Sequence, residues 1–236
     1  MVVCPESGPL QHSQRRRAWG AFGIVGAVLV AAAAVALPGR FEAQRNANES
    51  AVIATLKNIS SAQAQCHAGG VIDVDRNGVG EHGFFDELTG RVPVRGGKAI
   101  VPLLSNIDYG AVVDSRCMRS GYLFQMFLPD RLQRGVAEDA SGGDAGNDNG
   151  VDPRQAELLW CCYAWPRSQG WTGQRTFFVN QSGDVLASLC QVVAYDGVLT
   201  PCPFFAAFAA SSSVSMAAAI AACTVAHDGN VWVVIG

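Results

Sequence analysis

The sequence has only four histidines in 236 residues, and none stands in an HExxH or similar spacing. No CxxC pair occurs, and the adjacent Cys161 and Cys162 cannot both point to one side of a strand, so a zinc site built on cysteines is not expected. There is no G-x-S-x-G, which removes the nucleophile elbow of a hydrolase. The glycines around Gly96-Gly97 lie in a basic loop, RVPVRGGK, that lacks a phosphate-loop pattern. Paired carboxylates for glycoside chemistry do not stand out, and His227-Asp228 lie in a turn-like HDGN. The expectation is a protein that is not an enzyme. Clustered basic charge is scarce too. Setting aside residues 1–37 leaves 14 basic and 19 acidic side chains, so no nucleic-acid partner is expected.

What is present begins at the N-terminus. Arg15-Arg16-Arg17 precede Ala18–Leu37, twenty residues without a charge, and a membrane-spanning helix needs ~20 apolar residues. The arginines place residues 1–17 in the cytoplasm as a tail, residues 18–37 in the membrane and residues 38–236 outside. A cleaved signal peptide shares the basic start, the apolar run and the small residues near its end. The helical pattern continues past the apolar run, which favours an uncleaved anchor. The expected location is therefore the cell membrane, single-pass, with the main domain periplasmic or at the cell surface. Eight cysteines fit that compartment. Cys4 precedes the span and stays reduced, while the other seven are expected to form disulfides, with at least one left over.

Residues 40–66 read as a helix with one apolar stripe: Phe41, Val52, Leu56, Ile59 and Cys66, interrupted at Gln63. Pro38-Gly39 should kink or interrupt the join with the membrane helix, and Gly69-Gly70 should stop it. Strands are expected at Gly121–Pro129, at LLWCCYAWP, in a hairpin RTFFVN–QSG–DVLAS, and at the terminal NVWVVIG. They follow one another without helical patterns, so antiparallel pairing is expected. Residues 206–222 read as a loop with at most one helical piece, and residues 133–153 as a flexible acidic loop. The fold class is α+β: a long N-terminal helix packed on an antiparallel β-sheet, as one domain of ~150–180 residues.

The stretch VALPGRFEAQRNANESAVIATLKNISSAQAQ resembles the helix of type IV pilins and pseudopilins. Its NESAVIATLKNISSAQAQ portion is similar to a group of bacterial pilin-like proteins whose helix reads roughly NE-S-A-I-x-x-L-x-x-I-x-x-A-Q. YAWP, TGQRTFFVNQSGDV and the terminal NVWVV also look like that group, so the resemblance touches most of the chain. It implies a structural or assembly component of the envelope, with other envelope or pilin-like proteins as partners. One departure matters. A prepilin carries a glutamate at the fifth mature position, just inside its apolar segment, and here that segment has none. The departure from the family pattern fits a membrane-anchored, pilin-like protein that does not polymerise better than a filament subunit.

The stretch DVDRNGVGE carries the densest chemistry. Asp73, Asp75 and Asn77 supply oxygens at positions 1, 3 and 5 of a calcium-type loop, with Gly78 at 6, the Val79 carbonyl at 7 and Glu81 at 9. The twelfth position is Phe84 and not a bidentate glutamate, so a full EF-hand is not expected. Two readings stand: a shortened structural calcium loop, with Asp86 or Glu87 folding back as a further ligand, or a polar turn in which Asp and Asn side chains cap backbone amides. His67 and His82 flank the loop and could approach each other around zinc; surface histidines are the simpler reading. Trp160, Tyr163, Trp165 and Trp171 are either an exposed strip for a glycan or protein or core packed on the helix stripe. The function expected is a membrane-anchored, extracytoplasmic pilin-like structural component. The alternatives are an anchored ligand-binding module and, behind it, a hydrolase.

Overall fold

The structure, a computed structural model, describes residues 11–95, 97, 99–105, 112–139, 150–210 and 214–235, with side chains from residue 39 onward. It divides into two units, Met1–Gln44 and Arg45–Gly236. Helix α1 is assigned over Gln11–Ala68. Within the first unit it runs through Pro38 and Gly39 without a break, so the interruption expected there does not occur. The expected span at 18–37 has a helical backbone, but its side chains, like Cys4 and the first ten residues, lie outside the described residues. Among the described residues no helix is long and apolar enough to cross a membrane.

In the second unit, α1 buries the stripe that its periodicity predicts. Val52, Leu56, Ile59, Gln63 and Cys66 are all fully buried. Phe41, on the same stripe by spacing, belongs to the first unit and is 49% exposed. The helix ends where the glycines require. Gly70 takes φ 54°, and the Val71 amide reaches back to the Cys66 carbonyl at 3.1 Å, which satisfies a carbonyl of the last turn.

The stripe rests on a seven-stranded, wholly antiparallel sheet: β1 Cys117–Arg119, β2 Tyr122–Pro129, β3 Gly135–Ala137, β4 Cys161–Pro166, β5 Thr176–Asn180, β6 Leu186–Ser188 and β7 Val233–Val234. The order is β1-β2-β4-β5-β6-β7, and β3 pairs with β2 beside β1. The β5–β6 hairpin turns on Gly183, whose φ is 81° and whose amide donates to the Asn180 carbonyl at 2.9 Å. Each expected strand is present. Among the described residues two short helices are added: α2, Phe85–Leu88, and α3, Pro153–Ala156, the latter capped by Asp152 through the Gln155 amide.

Both faces of the sheet are covered. Tyr122, Phe124, Met126 and Leu128 of β2, Cys162 and Ala164 of β4, and Phe177 and Val179 of β5 face α1. Leu123, Phe127, Cys161, Tyr163, Trp165 and Phe178 face the long connection between β6 and β7. Among its described residues that connection has no helix, and it covers the sheet with Tyr195, Cys202, Ala206–Phe208, Met216 and Ala226, held by isolated bridges such as Phe208↔Ile220 and Ala209↔Ala226. This is why β2, β4 and β5 are buried at every position instead of alternating. Order also reaches into the acidic segment. Gly135–Ala137 form β3 and Glu138 is fully buried, while residues 140–149 lie outside the described residues.

Candidate functional site

Beyond Gly70 the chain enters the Asp73–Glu81 loop, whose polar side chains turn inward on it. Asp73 accepts from the amides of Asn77 (Oδ1, 3.1 Å) and Gly78 (Oδ2, 3.2 Å). Asp75 accepts from the Asn77 amide at 3.2 Å and from Asn77 Nδ2 at 3.1 Å. Asn77 Oδ1 accepts from the Val79 amide at 2.7 Å, and the Val79 side chain is exposed. Arg76 and Gly78 supply the positive φ that such a turn needs, 58° and 89°. A further carboxylate arrives from far along the chain. Glu157, the C-cap of α3, accepts from Asn77 Nδ2 at 2.6 Å, and Arg154 stands 3.9 Å from Asp75. So the structure brings together Asp73, Asp75 and Asn77 and adds Glu157. Glu81 faces the other way, fully buried, with Oε1 accepting from the Val74 amide at 2.7 Å and Oε2 3.2 Å from Arg95. Asp86 and Glu87 do not fold back on the loop; they engage Arg91 and Arg95. Among the described residues no group of three or more His, Cys, Asp or Glu is placed to hold a metal.

Behind the loop lies a closed acid cluster. Glu81 and Glu87 are fully buried around Arg95, itself 7% exposed, and Glu138 is fully buried on the start of α2. Glu87 accepts from the Phe84 amide at 2.8 Å, which satisfies the amide of the residue before α2, and from the Arg95 amide at 2.6 Å and Arg95 Nε at 3.2 Å. Glu138 accepts from the Phe85 and Asp86 amides at 3.1 and 2.7 Å. Arg95 also donates to the His82 carbonyl and lies over the Phe84 ring. Burial pushes Glu81 and Glu87 up, against the pull of Arg95. It pushes Glu138 up to about 8, against its two amides. Each carboxylate serves a backbone amide of the 74–95 stretch, so the cluster works chemically as an internal scaffold for a segment with little regular structure of its own.

His67 and His82 do meet. Their rings stack with centroids 5.2 Å apart, and Trp160 lies 6.0 Å from His82. His82 is 7% exposed; burial, helped by the neighbouring His67, holds it down at about 3, so it is neutral. The aromatic strip resolves against the exposed reading for three of its members. Trp160, Tyr163 and Trp165 are buried, whereas Trp171 is 67% exposed. Tyr163 and Trp165 do not pack on the helix stripe; they lie on the far face, where Tyr163 donates to the Phe204 carbonyl at 2.9 Å and Trp165 to the Gly197 carbonyl at 2.8 Å. The seven cysteines described are all free thiols and six of them are buried, so the paired arrangement expected of them is not present. Burial pushes the Cys66 thiol up to about 12.

One groove stands apart from this cluster. It measures about 560 Å³ and is lined by Arg175, Leu189, Val192, Val231, Val233 and Ile235, among others, beside β6 and β7. Its apolar walls come from two separate segments, 187–192 and 229–235, with Arg175 beside them, and nothing in the sequence reading singled it out. No family model, curated protein or solved structure matches the chain.

Proposed function

We propose that the chain is a membrane-anchored, extracytoplasmic, pilin-like structural component of the cell envelope. Residues 18–37 are its single span, and it acts through contacts with other envelope or pilin-like proteins. The observation that supports this reading is the α1 stripe, Val52, Leu56, Ile59 and Cys66, laid on an antiparallel sheet, which is the arrangement that the sequence resemblance implies. A non-catalytic role agrees with the buried carboxylates, each of which is engaged with backbone amides. Membrane fractionation of the full chain is the test. The protein should remain with membranes through an alkaline carbonate wash, and protease added from outside should digest residues 38–236. Release by the wash, or a native N-terminus beginning after Ala36, overturns the anchor.

A structural calcium ion in the Asp73–Glu81 loop is a subordinate part of the proposal, held by Asp73, Asp75 and Asn77, with Glu157 as the carboxylate that closes the site. It would fasten the end of α1 to α3. Calcium should then raise the melting midpoint of the wild type, a chelator should reverse the gain, and Asp73→Ala should abolish it. Equal midpoints throughout overturn the metal. The groove beside β6 and β7 favours a second reading, an anchored module for an apolar envelope ligand. Ligand-dependent protection that disappears in Val233→Asp would favour that reading.

A further inference from the structure

We infer that the groove beside β6 and β7 binds a single-chain amphiphile, with its carboxylate head on the Arg175 guanidinium and its alkyl chain along the strands; this rests on the second, ligand-binding reading above. The groove has a polar end and an apolar end, and the sheet register sets them. Phe177 of β5 pairs with Ala187 of β6, which pairs with Val233 of β7. Arg175 precedes Phe177 by two residues and Ile235 follows Val233 by two. β5 and β7 both run antiparallel to β6, so Arg175 and Ile235 stand at opposite ends of the groove. Ser188, Gln191 and Asn230 lie at the Arg175 end, whereas Ala187, Val233 and Ile235 wall the other end without a polar side chain. Ala187, Cys190 and Asn230 are buried, while Leu189 is 56% and Val192 71% exposed, so the last two form an apolar rim. The volume of about 560 Å³ is that of a small-molecule site.

Arg175 is the one charged residue of the lining. Its Nε donates to Glu49 Oε2 at 2.7 Å, and its Cζ lies 5.2 Å from the centre of the Phe177 ring, which together fix the side chain. Neither terminal nitrogen donates a hydrogen bond among the described residues, and the side chain is 34% exposed. Glu49 is itself engaged by several donors. Besides Arg175 Nε it accepts from the Gln174 and Arg175 amides at 2.9 and 3.2 Å and from Tyr122 Oη at 3.4 Å. The outer edge of the guanidinium is left to an incoming anion, and a carboxylate matches its planar fork with two parallel hydrogen bonds. Among the described residues one other acid bonds to the lining. It is Asp228, which accepts from Tyr195 Oη, from the Asn230 amide and side chain and from Trp232 Nε1. A single guanidinium suits a singly charged carboxylate better than a doubly charged phosphate. An added peptide strand fits less well. β7 has two residues, and the outer side of the adjoining Trp232 is already taken, the Cys223 amide donating to its carbonyl at 2.7 Å.

The test uses the full chain in amphipol, with a dodecanoate that carries a terminal diazirine as the probe. Photolysis should place the label on residues 187–192 and 229–235. Competition on the wild type then reads the two ends of the groove separately. From octanoate to decanoate to dodecanoate the competing concentration should fall about two- to fourfold per methylene, as burial of the chain requires. Dodecanol has the same chain and no charge, and it should compete about tenfold or more weakly than dodecanoate. Arg175→Met should bring dodecanoate down to the level of dodecanol, and Arg175→Lys should recover only part of the difference. If Arg175→Met does not fold, the comparison of dodecanoate with dodecanol on the wild type decides alone. Label spread evenly over the chain overturns the site and the ligand-binding reading with it. Label in the groove that dodecanol displaces as well as dodecanoate does overturns the carboxylate head and leaves that reading standing. Displacement by an extended apolar peptide at lower concentration than dodecanoate assigns the groove to a protein partner and overturns the amphiphile.

Discussion

Gln63 is the polar interruption in an otherwise apolar helix stripe, and its amide explains why it is tolerated there. Nε2 donates to the Gly83 carbonyl at 2.7 Å and Oε1 accepts from the Gly83 amide at 3.0 Å, so one side chain satisfies both backbone groups of a residue that has no ladder partner. Gln63→Ala should cost about 2–4 kcal/mol, because two buried backbone groups lose their partners together. The loss is read as a lower denaturant midpoint with an unchanged slope. His82 makes a prediction in pH. Its folded value of about 3 lies below the ordinary 6.5, so between those values the unfolded chain binds a proton that the folded chain refuses. Its contribution is fully present above about 6.5 and is lost as pH falls towards 3. From pH 7 to pH 5 that loss is about 2 kcal/mol, and His82→Phe should remove this part of the slope. Glu138 works in the opposite sense. Raised from 4.5 to about 8, it stabilises most at low pH and its contribution is lost as pH rises through 8. The comparison with His82→Phe therefore isolates the imidazole. A mutant slope equal to that of the wild type would refute the assignment.

At the scale of elements, α1 was legible because a single buried stripe repeats with the helical period, and Gly69-Gly70 punctuate it. The strands were legible as short aromatic and apolar runs between turn residues. Which face each strand residue takes was not legible, because β2, β4 and β5 are apolar on both sides and carry no alternation to read. The loop after α1 was legible only as a turn with oxygens at alternate positions. Its docking depends on Gly80, where a Cβ would stand 2.0 Å from the His67 carbonyl oxygen. Gly80→Ala should therefore force the loop off the helix end at about 1–3 kcal/mol, the usual scale of a steric insertion into packed structure. Faster amide exchange across residues 71–82 is the direct check, and unchanged exchange would show that the close approach is dispensable.

The whole second unit has two cores that share one sheet, with α1 on one face and the β6–β7 connection on the other. Side chains from a single strand serve both, as the neighbours Cys161 and Cys162 do, so neither core can open without stripping the other. Leu56→Ala and Phe208→Ala, one in each core, should lower the same cooperative transition, each by about 2–5 kcal/mol. Far-UV dichroism and tryptophan fluorescence should coincide in both variants, and separate transitions would mean that the cores fold independently. The sequence by itself determined the elements and their order: the helix stripe, the strands, the turns and the antiparallel class follow from period and punctuation that neighbouring residues carry. Only the tertiary structure decided the partners. Glu157 meets Asn77 across 80 residues, Glu138 meets Phe85 across 53, and Glu49 meets Arg175 across 126. A local pattern records which way a side chain points, and it holds no record of what the sheet order will bring in front of it.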